Sequence, residues 1–157
     1  MMNATNINSV KRIAFIVHSN NKSELIEWSY FNKGLLTQHE IIASGDAANI
    51  LGGTLNKPVH TFLSGPLHGY QELGNMIADG KVDILILLWN AGETQMQKNG
   101  IKALMRTANN ANIIIATNKI TADFILTSDL MNKELPHENE CYSLQPEQRE
   151  IKKNNAA

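Results

Sequence analysis

The longest apolar run in the chain reads Ile84-Leu85-Ile86-Leu87-Leu88-Trp89. It is far shorter than the roughly 18 residues that a membrane-spanning helix requires. It also lacks the alternation of apolar and polar side chains that marks a strand with one face in water. A continuous apolar run of this length is typical of a strand that is covered on both faces. We therefore predict a buried strand of a parallel sheet here.

Four other runs of strand length surround this one, and segments with helical spacing alternate with them. The predicted strands are residues 12–17, 40–43, 59–63, 82–88 and 113–116. The predicted helices are residues 22–31, 47–55, 70–78, 100–109 and 121–126. This alternation predicts a parallel sheet with right-handed crossovers. The expected fold is a three-layer α/β/α sandwich around a doubly wound parallel five-stranded sheet.

Two local details follow from the same patterns. In the first predicted helix the spacing places Leu25, Ile26 and Trp28 on one buried side. Gly80 comes just after the third predicted helix, where a residue with positive φ is favoured.

Length and composition limit the classes of protein to consider. The chain has 157 residues, 43% hydrophobic and 18% charged, which fits one globular domain. Lys plus Arg number 14 against 15 Asp plus Glu, so no basic field favours a nucleic-acid partner. Cys141 is the only cysteine, which predicts a reducing, cytoplasmic location, and the polar start does not resemble a signal peptide. We expect an extension at residues 1–10, a domain at 11–135 and a polar tail at 136–157.

In open α/β sheets ligands bind beyond the carboxyl ends of the strands, so the turns there are the candidate site. His18 and Lys22 follow the first strand, and they could meet a carbonyl and a phosphate, respectively. The alternative is that His18 is a structural residue. No His or Cys cluster has ligand spacing, so no metal site is predicted.

Two other turns offer backbone rather than side-chain contacts. Ser44, Gly45 and Asp46 come before a helix whose first N–H groups could face an anion, although Asp46 could instead cap that helix. Ser64 and Gly65 begin a turn that could approach a ligand closely or be only a turn.

Taken together in this order, the turns resemble the methylglyoxal synthase family. The matching segments are Ile13-Ala14-Phe15-Ile16-Val17-His18 with Lys22, Ser44-Gly45, Ser64-Gly65-Pro66, Gly80-Lys81-Val82-Asp83, Trp89, Ala116-Thr117-Asn118 and Thr121-Ala122-Asp123-Phe124. The resemblance implies a homohexameric enzyme that converts dihydroxyacetone phosphate, a small phosphorylated metabolite, to methylglyoxal and phosphate. It implies no metal and no organic cofactor, and no nucleic-acid or membrane partner is expected.

The resemblance also implies roles for individual residues. His18 matches the family's histidine, and Lys22 matches its phosphate-contacting lysine. Ser44 replaces a threonine, while Gly45 and the Ser64-Gly65 pair match the family's residues at the phosphate site.

The chain departs from the family where the chemistry is performed. Tyr70 stands where the family has its catalytic aspartate, and Asp46 adds a carboxylate to the phosphate turn. Asn90, Gln97 and Gly100 replace an aspartate, a histidine and an aspartate. Three hypotheses remain open. The first is an active synthase that uses Tyr70 or a displaced carboxylate, together with His18. The second is a non-catalytic metabolite-binding or regulatory protein on the same fold, and the third is a different enzyme in the same cleft with His18, His68 or Tyr70 as proton carriers.

Overall fold

The computed structural model describes residues 7–62, 68–88 and 94–135. The strands in this part of the chain are β1 (Arg12–Val17), β2 (Glu40–Ala43), β3 (His60–Thr61), β4 (Ile84–Leu88) and β5 (Ile114–Ala116). The α-helices are α1 (Lys22–Phe31), α2 (Lys33–Leu36), α3 (Gly45–Leu55), α4 (His68–Ala78), α5 (Gln95–Asn110) and α6 (Lys119–Leu126). Short 3-10 helices span Ser19–Asn21 and Asp129–Asn132.

The five strands form one parallel sheet in the order β3-β2-β1-β4-β5. The chain starts in the middle of the sheet and proceeds outward through β2 and β3. It then crosses back to β4 and continues outward to β5. The direction of winding therefore changes between β1 and β4, and the predicted doubly wound five-stranded sheet is confirmed.

Helices cover both faces of the sheet and make a three-layer sandwich. On one face Phe15 and Ile86 pack beneath α1, α3 and α6. On the other face Ile16 and Leu87 pack beneath α4 and α5. Successive residues of a strand point to opposite faces. Because both faces are buried, every position of β4 has to be apolar, and the continuous run is explained.

The local details agree in part with the sequence patterns. Gly80 has a φ of 73°, as predicted, and it ends the turn after α4. Leu25 and Trp28 are buried, and Trp28 packs edge-on against Phe15 with the ring centroids 6.0 Å apart. Ile26 is exposed, so its assignment to the buried side was wrong. It lies on the outer surface of α1 because Leu25, Trp28 and Ser29 occupy the inner side.

Several element boundaries differ from the predicted ones. Helix α3 starts two residues early at Gly45, and α5 starts five residues early at Gln95. The first turn of α3 has only small and polar residues, and the first turn of α5 is polar apart from the exposed Met96, so hydrophobic periodicity does not mark either start. Within the described residues strand β3 spans His60–Thr61, and residue 63 of the predicted strand lies outside them. Helix α2 was not predicted because four residues are too few to show a period.

The described chain is closed by a contact between its two ends. Ile7 N donates to Leu135 O at 2.7 Å, and Leu135 N donates to Ile7 O at 2.9 Å. Part of the expected N-terminal extension is thus paired with the end of the expected domain. The boundaries at residues 11 and 135 stay predictions, and residues 136–157 lie outside the described residues. Among the helices of the described segments, none has the length and apolar character needed to cross a membrane.

A buried lysine lies at the amino edge of the sheet, opposite the candidate site. The Nζ of Lys11 donates to Asn8 O at 2.5 Å and to Lys133 O at 2.7 Å. Burial lowers the pKa of Lys11, and the nearby Asp83 and Glu134 partly oppose that shift. Two carbonyl oxygens therefore hold this ammonium group in place of water.

His39 is the buried neighbour of this lysine. Its Nδ1 accepts a hydrogen bond of 2.9 Å from the backbone N–H of Lys11, an arrangement that requires an unprotonated Nδ1. Burial lowers the pKa of His39, and the charges of Lys11 and Lys57 lower it further. The folded protein therefore favours the neutral imidazole.

The lowered pKa of His39 predicts an acid-sensitive stability. As the pH falls below about 6.5, the unfolded chain takes up a proton at this histidine before the folded chain does. The contribution is complete above that pH and is lost as the pH falls toward the folded pKa. We expect the free energy of unfolding in urea to decrease from pH 7 to pH 5. In His39→Gln, whose amide oxygen can still accept from Lys11 N–H, this decrease should be smaller. An equal decrease in both proteins would contradict the assignment.

Candidate functional site

His18 lies at the point where the winding of the sheet changes direction. Its backbone N–H donates to Leu88 O at 2.9 Å, which holds the end of β1 beside the end of β4. Its Nδ1 accepts from Asn20 N–H at 3.3 Å and begins the 3-10 helix that follows. A neutral imidazole with an accepting Nδ1 carries its proton on Nε2. The hydrogen bond from Asn20 N–H favours the tautomer of His18 with its proton on Nε2.

Lys22 and Asp46 form an ion pair at the same edge of the sheet. Lys22 is the first residue of α1, and Asp46 is in the first turn of α3. The Lys22 Nζ lies 2.5 Å from the Asp46 Oδ2. The side chains are 43% and 67% exposed, so the pair is solvated and stabilises the fold by at most about 1 kcal/mol. Two residues that the sequence indicated separately are thus brought together.

The start of α3 has no side-chain cap, so the alternative in which Asp46 caps the helix is wrong. The N-cap residue is Ser44, and its side chain makes no capping hydrogen bond. Asp46 does not cap the helix either, because its carboxylate reaches across to Lys22. Gly45 has a φ of 54°, which glycine adopts at little cost. The first N–H groups of α3 lack a side-chain cap and, with the positive end of the helix dipole, they favour an anion.

Tyr70 and Gly100 lie on the other face of the sheet. Both line a groove of about 400 Å³ between α4 and α5, together with Gly74 and Leu104. Tyr70 is half-buried and packs against the hydrophobic core under those helices. The candidate residues therefore form two groups, one between α1 and α3 and the other between α4 and α5.

Gln97 has a structural role that the sequence interpretation missed. Thr94 Oγ1 accepts from Gln97 N–H at 3.3 Å, and Gln97 Oε1 accepts from Thr94 N–H at 2.9 Å. This reciprocal pair is a capping box, and it explains why α5 begins at Gln95. A Thr followed three residues later by Gln was the signal that could have revealed it.

Three predicted site residues cannot be compared with the structure. Ser64, Gly65 and Asn90 lie outside the described residues. Within the described ranges no group of three His, Cys, Asp or Glu side chains is placed to hold a metal ion.

Asp123 holds the helix that carries Lys22. Its Oδ1 accepts from Trp28 Nε1 at 2.8 Å and from Asn32 Nδ2 at 3.3 Å. These bonds join α6 to α1 across more than 90 residues of sequence. Since α1 begins with Lys22, Asp123 helps to position that lysine without lying at the sheet edge itself. No local sequence signal marks this contact, because it depends on helix packing.

Known proteins share both the sequence and the fold of this chain. The family model for the MGS-like domain matches residues 24–117. Methylglyoxal synthase from Yersinia enterocolitica is 41% identical over 125 residues, which are 80% of this chain and 82% of that protein. The Yersinia pestis methylglyoxal synthase is 40% identical over 125 residues, covering 80% and 81%.

A solved structure extends the similarity to three dimensions. The crystal structure of methylglyoxal synthase from Elizabethkingia anophelis matches with a TM-score of 0.74 and 34% sequence identity. The match covers 89% of this chain and 94% of that one. Because the family model, the relatives and the solved structure all agree, this chain belongs to the methylglyoxal synthase family.

Proposed function

We propose that this chain binds a small phosphorylated metabolite of the dihydroxyacetone phosphate class and converts it to methylglyoxal only slowly. The observation that carries the proposal is the 2.5 Å pair of Lys22 and Asp46 beside the start of α3. The pair indicates that negative charge is stabilised at this position, where a phosphate group could bind. It also indicates that phosphate binds there weakly, because the Asp46 carboxylate competes with the ligand for Lys22.

The phosphate is bound by Lys22 and by the backbone at Ser44 and Gly45. A phosphate offers more charge and more acceptor oxygens than a single carboxylate, so it displaces Asp46 from Lys22. Asp46 is well exposed, so it can swing into solvent at low cost. After displacement its negative charge still lies near the phosphate and reduces the affinity.

The slow chemistry follows from the other group of residues. Removal of a proton next to a carbonyl needs a base, and the resulting enediolate needs a hydrogen-bond donor. His18 can supply the donor from Nε2. Tyr70 is a poor substitute for a carboxylate base, because a phenol ordinarily keeps its proton at neutral pH. The groove between α4 and α5 also directs Tyr70 against the core.

Family membership supports further parts of the proposal. By resemblance the protein is a homo-oligomer, a hexamer in the family, and it acts without a metal or an organic cofactor. We place it in the cytoplasm, and we assign the ligand-binding unit to residues 11–135. The similar proteins and the similar solved structure are methylglyoxal synthases.

The proposal is tested first by calorimetric titration with inorganic phosphate. In Asp46→Asn, loss of the competing charge should tighten binding about five- to tenfold, which corresponds to about 1 kcal/mol. Lys22→Gln should weaken binding by at least the same factor. Asp129→Asn removes an exposed carboxylate from the far end of the chain and should change nothing. If neither Asp46→Asn nor Lys22→Gln alters the dissociation constant, the anion position is wrong.

The catalytic half of the proposal is tested with dihydroxyacetone phosphate as substrate. Methylglyoxal and phosphate are followed together, and we expect turnover at least a hundredfold below about 10 per second. Turnover near 10 per second would instead establish the second candidate, an active synthase. That candidate is favoured by the 41% identity to a methylglyoxal synthase.

A further inference from the structure

One buried polar atom beside the candidate site has no hydrogen-bond donor. The Oδ1 of Asn21 meets no donor among the described residues, although Asn21 is only 8% exposed. A buried acceptor without a partner is costly, and native proteins keep few of them. In the described part of the chain no other buried side-chain nitrogen or oxygen is left in this state. The oxygen therefore indicates a donor that the chain itself does not supply.

Asn21 lies between the two side chains that the proposed function uses. Its backbone N–H donates to His18 O at 2.9 Å, which closes the 3-10 turn after β1. Side chains three residues apart in a 3-10 turn lie on the same side, and His18 and Asn21 have this spacing. Lys22 follows directly as the first residue of α1. The amide of Asn21 is thus part of the same sheet edge as the imidazole and the ammonium group.

The orientation of this amide is fixed at its nitrogen end. Asn21 Nδ2 donates to Glu24 Oε2 at 3.0 Å, and Glu24 Oε1 lies 3.6 Å from Lys119 Nζ of α6. An ionised carboxylate only accepts hydrogen bonds, so an amide turned by half a rotation would set two acceptors against each other. Glu24 therefore keeps the amide nitrogen on its own side and leaves Oδ1 to accept from elsewhere.

An acceptor of this kind selects a ligand that carries a hydroxyl group. An ionised phosphate has acceptor oxygens and is bound by Lys22 in the proposed function, so it does not satisfy Oδ1. Dihydroxyacetone phosphate carries a terminal hydroxyl beside its carbonyl, and that O–H is a donor. A site built to bind a substrate hydroxyl rejects the analogue without it, because the polar group of the protein is then left unpaired.

We propose that Asn21 is a specificity-determining residue whose Oδ1 accepts a hydrogen bond from the terminal hydroxyl of the phosphorylated ligand. The inference rests on the proposed function, since it assigns the other end of the same ligand. The phosphate lies at Lys22, the carbonyl oxygen lies near His18 and the hydroxyl lies at Asn21. Binding separates Lys22 from Asp46, and because Lys22 adjoins Asn21 in the chain, the same movement opens Oδ1 to the ligand.

The test is calorimetric titration with two alcohol phosphates that have no carbonyl group and so do not react. Glycerol 3-phosphate has the terminal hydroxyl, and propane-1,2-diol 1-phosphate differs only in lacking it. The wild type should bind the glycerol compound at least about tenfold more tightly. In Asn21→Leu this preference should fall below about twofold, while the dissociation constant of inorganic phosphate should change by less than about twofold.

Two alanine variants provide a milder matched pair, and the folding of every variant is checked by circular dichroism. Asn20 is exposed, so Asn20→Ala should keep the wild-type preference, whereas Asn21→Ala should lose it. A wild type that binds both alcohol phosphates equally, or neither of them, overturns the proposal. A folded Asn21→Ala that keeps the preference also overturns it and shows that only buried water meets Oδ1. Failure of the proposed function is distinguished by inorganic phosphate, whose binding would then not depend on Lys22.

Discussion

Replacing Tyr70 by aspartate, together with Asp46→Thr, should raise the turnover of dihydroxyacetone phosphate about a hundredfold. A positioned general base contributes roughly 10² to 10⁴ in rate, and in our proposal Tyr70 stands at the position of the family's base. Asp46→Thr removes the carboxylate that is paired with Lys22 and restores a hydroxyl to the phosphate turn. The measurement is release of methylglyoxal and phosphate by the purified double variant.

A matched control places the new carboxylate one residue further along the same helix. Gln71 is exposed in α4, and Gln71→Asp with Asp46→Thr should leave turnover at the starting level. The substitution at Tyr70 also removes a packed ring, so folding is checked by circular dichroism. If the properly folded Tyr70→Asp double variant gains nothing, the loss of one base does not account for the slow turnover that we propose. The substitutions at Asn90, Gln97 and Gly100 would then matter as much.

The second large effect concerns stability rather than chemistry. Asp83→Ala should lower the free energy of unfolding by about 3 kcal/mol, measured by urea denaturation at pH 7. Asp83 is 4% exposed, and its carboxylate accepts from Arg12 N at 2.8 Å, Nε at 3.1 Å and Nη2 at 3.0 Å. Its loss leaves a backbone donor and a partly buried guanidinium without their acceptor. Breaking a buried ion pair costs about 3 to 5 kcal/mol, and we expect the lower value here because the Arg12 side chain is 30% exposed.

A nearby carboxylate provides the control for this variant. Asp79 is exposed at the end of α4, and Asp79→Ala should change the free energy of unfolding by no more than about 0.5 kcal/mol. Equal losses of stability at the two positions would show that removal of a negative charge, and not loss of the Asp83–Arg12 hydrogen bonds, destabilises the protein. The expected difference follows from burial and from the three hydrogen bonds that only Asp83 accepts.

Much of the fold could be predicted because the core leaves a strong pattern. The bounds of β1, β2 and α1 agree with the structure residue for residue. The continuous apolar run of β4 indicated burial on both faces, and the two packed layers confirm it. The predicted starts of α3 and α5 were wrong. Glycine conformation and capping hydrogen bonds determine where these helices begin, and hydrophobic periodicity does not reveal either of them.

The candidate site could be predicted only as a set of separate residues. The resemblance indicated Lys22 and Asp46, but nothing in the sequence showed that a carboxylate 24 residues away would take the ammonium group. Gln97 was read as a substituted site position, whereas its amide closes the capping box of α5. Buried Lys11 and His39 had no local signal either. Polar contacts of this kind depend on which elements pack together.

The sequence by itself determined the parallel sheet and the family. Hydrophobic patterning records burial along the chain, and burial is what selects the layers of an α/β fold. Only the tertiary structure decided that Asp46 meets Lys22 and that Tyr70 packs between α4 and α5. The physical reason is that charge and shape act over a few ångströms in space, while the groups that meet there are distant along the chain.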